Sequence, residues 1–143
     1  MSDIHSQIDA FAFPDIIYYK LHKHYGYERS MADLLVREAK RYTYLVSQVD
    51  FEPVPSEEID QAWHEMILLT KSYHRFCDTF CGGYVHHEPS SLEDMQRENY
   101  AKDVLSEYLK TQEVYQTLYR EKCDKRAWTD GSFSLSSSRY KTL

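Results

Sequence analysis

Glycine and proline are scarce in this chain, four of each among 143 residues, which excludes collagen-like, glycine-rich and proline-rich low-complexity architectures. No apolar run exceeds about four residues, far below the ~20 that a membrane-spanning helix requires. Cysteine is nearly as rare. Cys77, Cys81 and Cys123 are odd in number and contain no C-x2-C pair, so reduced thiols or metal ligands suit them better than a disulfide framework. Basic residues gather only near Arg120 to Arg126, and a net charge of -6 opposes a phosphate backbone, so nucleic acid is not expected as a partner. The first residues, MSDIHSQIDAFAFPD, lack the basic start and apolar run of a signal peptide, and the expectation is a cytoplasmic protein without a membrane anchor.

What is present is a globular composition, 42% hydrophobic and 28% charged, at the size of one domain. The 13 tyrosines lift the aromatic share to 15%, so a tyrosine alone says little about function. Apolar residues recur at helical rather than alternating spacing, which predicts an all-α, single-domain bundle of four to five helices over residues 1–128. The serine-rich residues 129–143 read as a mobile tail.

Pro14 and Asp15 suit the first turn of a helix that Gly26 stops. His22 and His24 lie in its last turn, where cationic side chains favour the carbonyl end, while His5 falls in a loose terminus. Ser30 with Asp33 has the spacing of a capping box for a second helix reaching about Gln48. Two prolines then forbid continuation. Ser56, followed by Glu57, Glu58 and Asp60, starts a third helix that reads unbroken to Cys81 and Gly82-Gly83. Ser90 with Glu93 opens one or two further helices that reach about Lys122, and a break near Thr111 is left open.

The third helix and the loop after it hold most of the chemistry. On an unbroken wheel, Ile59, Trp63, Met66, Tyr73, Phe76 and Phe80 occupy the arc from roughly 160° to 300° from Asp60, and His74, Cys77 and Cys81 fall on or beside it. Residues three and four apart can share a metal, and the loop could add His86 or His87, which gives a candidate closed zinc site of His74, Cys77, Cys81 and one of those two histidines. Adjacent residues point apart, so His86 and His87 should serve different purposes. Plain core is the competing reading of the same side chains. A Cys77 nucleophile with His86 or His87 as base is disfavoured, because the negative end of a helix raises a thiol pKa. His64 lies about 20 Å along a straight helix from Cys77 and belongs to a separate feature. It follows Asp60 by four residues, so Asp60, Trp63 and His64 are the candidates for a ligand-binding or catalytic pocket, against the alternative of a surface pair.

The string VPSEEIDQAWHEMILLTKSYHRFCDTFCGGYVHHEP resembles the glycine-rich domain-containing protein-like family, with its pattern D-x2-W-H, I-L-x-T, Y-x3-C, a glycine and H-H-x-P. Asp60, Trp63, His64, Ile67, Leu68, Thr70, Tyr73, Cys77, Gly83, His86, His87 and Pro89 carry the match. REAKRYTYLVSQ resembles the family's lead-in and TQEVYQTLYREKCDKRAW its trailing helix, so the resemblance spans about Met31 to Trp128. KCDKRAW stands where the family has F-G-x-x-P-P, and this chain has no glycine-rich segment. The resemblance implies no catalytic mechanism. It leaves Cys81 outside the motif and keeps Cys77 with His86 or His87 inside it. The leading expectation is a non-enzymatic helical module with a buried His/Cys cluster, zinc-bound in one form, that serves another protein as partner. The alternatives are an enzyme or small-ligand domain at Asp60, Trp63 and His64, and an interaction module built on exposed tyrosines.

Overall fold

The computed structural model describes residues 3–87, 91–130 and 133. Seven helices follow one another among them: α1 Ile4–Ala10, α2 Ile16–Tyr25, α3 Arg29–Gln48, α4 Glu57–Leu68, α5 Thr70–Phe80, α6 Leu92–Met95 and α7 Tyr100–Tyr119. The all-α expectation holds and the count of four to five does not. Two short elements, α1 and α6, and a division of the expected third helix account for the difference. Asp3 caps α1 by accepting from the His5 amide, so the segment read as loose is helical, and the His5 ring packs 4.5 Å from that of Tyr119. A single turn, α6, precedes α7 and is capped by Ser91, whose hydroxyl accepts from the Asp94 amide. The other expected cap, Ser90, lies outside the described residues, as does most of the serine-rich tail.

Helix α3 is the central element, flanked by α1, α2, α4 and α7. It begins at Arg29, one residue ahead of the expected Ser30 cap, and Asp33 pairs with Arg29 at 3.2 Å. The core runs along it through Leu35, Ala39 and Leu45, against Leu21 of α2 and Ile59 and Met66 of α4. Gly26 stops α2 in the left-handed conformation (φ 79°), as its position predicts.

The expected third helix is two helices. Its start is as read, with Ser56 capping α4 through the Ile59 amide at 3.1 Å. It stops at Leu69 (φ −86°, ψ 69°), where the ladder ends on a short-range bond from the Leu69 amide to the Met66 carbonyl. The cause is local. Ile67, Leu68 and Leu69 are three consecutive aliphatics that no single helix face can bury together, and Leu68 is left half exposed even after the break. By contrast, no break occurs near Thr111. That residue is buried inside α7, where its hydroxyl donates to the Glu107 carbonyl and accepts from the Val54 amide at 2.9 Å. The two-proline segment is thereby tied down, with Tyr42 donating to the Pro53 carbonyl at 2.9 Å and Ser56 to the Ala127 carbonyl at 2.6 Å.

A polar layer lies between α3 and α7. Glu38 is fully buried, and one of its oxygens accepts from the Tyr115 hydroxyl at 2.6 Å and the Trp128 indole at 2.9 Å. Arg41 grips both carboxylate oxygens of Asp9 at 2.9 and 2.7 Å and also donates to Glu121 and Tyr115. The Asp9 carboxylate is the chief group holding the guanidinium charged, against the pull of burial. No helix among the described residues is long and apolar enough to cross a membrane.

Candidate functional site

Asp60 sits on the first turns of α4 and is almost wholly buried. Its sequence neighbour His64 is not the imidazole it holds. The Asp60 Oδ1 lies 2.7 Å from Nε2 of His87, which comes from the loop after α5, 27 residues away. A carboxylate only accepts, so Nε2 carries the proton and the bond fixes that tautomer. The His87 ring also packs edge-on against Trp63, with centroids 4.2 Å apart. Trp63 in turn donates its indole N–H to the Tyr73 hydroxyl at 3.0 Å, and Tyr73 donates to the Val85 carbonyl at 2.6 Å. Asp60, Trp63, Tyr73 and His87 thus form one buried constellation that ties the 84–87 loop to α4 and α5 at two points.

The remaining candidates are dispersed. His86 is exposed and packs at a tilt against Tyr84, with ring centroids 4.7 Å apart. His74 is on the solvent side of α5, 3.2 Å from Asp78. His64 is half-buried and has no hydrogen-bond or ring partner among the described residues. Pro89 of the motif lies outside the described residues. Of the five residues read as metal candidates, only Cys77 and Cys81 stand together, and no group of three His, Cys, Asp or Glu side chains among the described residues is placed to hold a metal. His22 approaches the Tyr27 carbonyl at 3.2 Å near the end of α2, whereas His24 reaches across to Glu65 at 3.1 Å.

The thiols depart from the expectation drawn from the helix end. Cys77 is pulled down to about 7, first by the hydrogen bond of the Cys81 thiol and, against the opposing effect of burial, by the Val85 amide. Direct donors at the sulfur outweigh the weaker field of the helix terminus. Cys81 is pushed up by the same pairing and by burial, and burial, with the Glu38 carboxylate adding to it, raises Cys123 to about 12. Neither histidine read as a base for Cys77 is hydrogen-bonded to it among the described residues. His86 is turned to Tyr84 and His87 is held by Asp60.

A cavity of about 60 Å³ opens beside the constellation, between Tyr42, Pro53, Trp63, His86 and His87. It is far below the roughly 300–1,000 Å³ of a small-molecule site. Two features escape sequence reading. Tyr73 reads as plain core, though its hydroxyl links Trp63 to the loop, and Glu65, which no sequence signal singles out, is buried, with Oε1 lacking a hydrogen-bond partner among the described residues. The signal for Tyr73 was its place in the motif beside Trp63. Glu65 gave none.

Comparison with curated proteins and with solved structures returned no match. A family model does match, over residues 4–127, which takes in every helix and the whole Asp60–His87 constellation, and the chain belongs to the UCP032817-like family.

Proposed function

We propose that this chain is a non-enzymatic helical module in which the motif is a buried closure and a separate groove receives a helical segment of a partner protein. The observation that carries the reading is the internal engagement of the motif. The Asp60 carboxylate, the His87 imidazole, the Trp63 indole and the Tyr73 hydroxyl bond to one another or to the Val85 carbonyl, and the cavity beside them holds about 60 Å³. Groups committed in this way position backbone and do not face a substrate. The resemblance to the glycine-rich domain-containing protein-like family rests in part on these residues, which supports closure as the role of the motif in this chain.

The groove lies between the end of α3 and α7. Val49, Val114 and Leu118 form its apolar floor, Glu113 and Thr117 its rim, and its volume is about 370 Å³. Val114 and Leu118 are one turn apart, the spacing that seats two apolar side chains of an amphipathic helix. Glu113, on a chain of net charge -6, favours a partner helix with basic flanks.

Selection of helical peptides from a displayed library against the full chain tests this. Enriched peptides should carry two large apolar residues at i and i+4 between Lys or Arg. They should lose about tenfold or more in affinity for a Glu113→Lys, Thr117→Arg variant, which changes exposed side chains only. Absence of enrichment, or binders indifferent to that variant, would overturn the proposal.

A further inference from the structure

Cys77 and Cys81 stand one helical turn apart at the end of α5, where the Cys81 amide donates to the Cys77 carbonyl at 2.8 Å. Cys77 is fully buried, while Cys81 is half-buried and forms part of the wall of a groove of about 380 Å³ with Ser47, Gly82 and Tyr84. The Cys81 sulfur lies 4.0 Å from the Thr43 carbonyl, and neither thiol is in a disulfide.

The helical spacing decides what can join them. Side chains four apart on a helix keep their Cβ atoms about 5–6 Å apart, whereas a disulfide needs about 3.5–4.5 Å. A direct sulfur–sulfur bond would therefore require the last turn of α5 to unwind. An atom held between the sulfurs meets no such conflict. With metal–sulfur bonds of about 2.3 Å, two sulfurs on one ion stand up to about 4.6 Å apart, a span that these Cβ positions reach with the backbone as it is.

We propose that Cys77 and Cys81 form a two-sulfur site for a soft monovalent cation of the copper(I) class, entered through the groove at Cys81. The donor set selects the class. Thiolates favour copper(I), zinc takes four ligands, and no third His, Cys, Asp or Glu among the described residues is grouped with this pair. Binding forms two copper–sulfur bonds, releases both thiol protons to solvent and leaves the metal's oxidation state unchanged. The bound unit then carries one negative charge. The site is independent of the partner groove and of the Asp60–His87 closure.

The test uses the full reduced chain under anaerobic conditions, with copper(I) supplied against a chromogenic copper(I) chelator and zinc(II) supplied in parallel. Wild type and Cys123→Ser should each retain one copper(I) per chain. Cys81→Ser should lose more than the roughly 10–100-fold that follows removal of an outer-shell partner, with its helical circular dichroism unchanged. Zinc should not be held against a chelator of equal strength. Cys81→Ser changes a half-buried side chain, so the outcome does not depend on Cys77→Ser folding. Copper(I) binding unaffected by Cys81→Ser, loss of binding in Cys123→Ser, or zinc held as tightly as copper(I) would each overturn the proposal.

Discussion

Replacing Asp60 with alanine should destabilise the protein far more than any surface change, and the size of the effect follows from the geometry. The Asp60 carboxylate is 1% exposed and accepts from a His87 side chain that is 5% exposed, at 2.7 Å. Alanine leaves the His87 N–H buried without that acceptor, which costs about 1–3 kcal/mol for a neutral donor and about 3–5 kcal/mol where a buried charged pair is broken. About 3 kcal/mol is the working figure. Asparagine keeps an acceptor at the same position but not its charge, and charge-assisted bonds are roughly twice as strong as neutral ones, so Asp60→Asn should cost only about 1 kcal/mol. For a chain of this length each kcal/mol moves the melting temperature by roughly 3–4 °C. Asp60→Ala should therefore melt about 10 °C below wild type, Asp60→Asn about 3–4 °C below, and His74→Ala, which removes an exposed pair with Asp78 and a ring contact with exposed Tyr84, within about 2 °C. Thermal melts followed by circular dichroism, with urea titrations to confirm an unchanged m-value, measure all three. An Asp60→Ala variant that melts with wild type would refute the reasoning, because the carboxylate would then not be holding the loop.

Thr111→Val keeps the shape of the side chain but removes the acceptor for the buried Val54 amide, and urea unfolding should show a loss of about 1–3 kcal/mol. Glu65→Met should be neutral or stabilising, since it removes a buried carboxylate whose Oε1 lacks a partner among the described residues and whose Oε2 meets only the solvent-accessible His24; a loss beyond about 1 kcal/mol would argue against that assignment. Burial raises Tyr73, Tyr108, Tyr115 and Tyr119 above their ordinary value of 10.0, so the stability they contribute is complete below pH 10 and falls as the pH rises past it. Tyrosinate absorbance should accordingly leave these four silent until helical signal is lost, and all 13 tyrosines ionising near pH 10 with the helices intact would contradict it.

Local signals in the sequence located most of the helices. Ser56, Gly26 and the two prolines after Gln48 act within one turn of themselves, and each does in the structure what its chemistry dictates. The break at Leu69 was less visible because no glycine or proline marks it; it arises from a run of aliphatics that tertiary packing must divide between faces. Charged residues in α3 were misleading in the same way. Glu38 and Arg41 count as solvent-facing in any hydrophobic pattern, yet Tyr115, Trp128 and Asp9 arrive from distant segments to satisfy them. The site shows the same limit. Asp60 and His87 were both legible as members of a motif, but spacing offered His64 as the nearer imidazole, and only the return of the loop across α4 decides between them.

Nitrogen-15 NMR of the His87 side chain tests the closure most directly. A carboxylate at 2.7 Å requires a proton on Nε2, so a long-range nitrogen–proton correlation should show His87 Nε2 protonated, with a resonance that changes in Asp60→Asn and moves with no change at His64. A His87 found as the tautomer with its proton on Nδ1 alone would mean that Asp60 does not hold the loop, and the buried closure would be wrong.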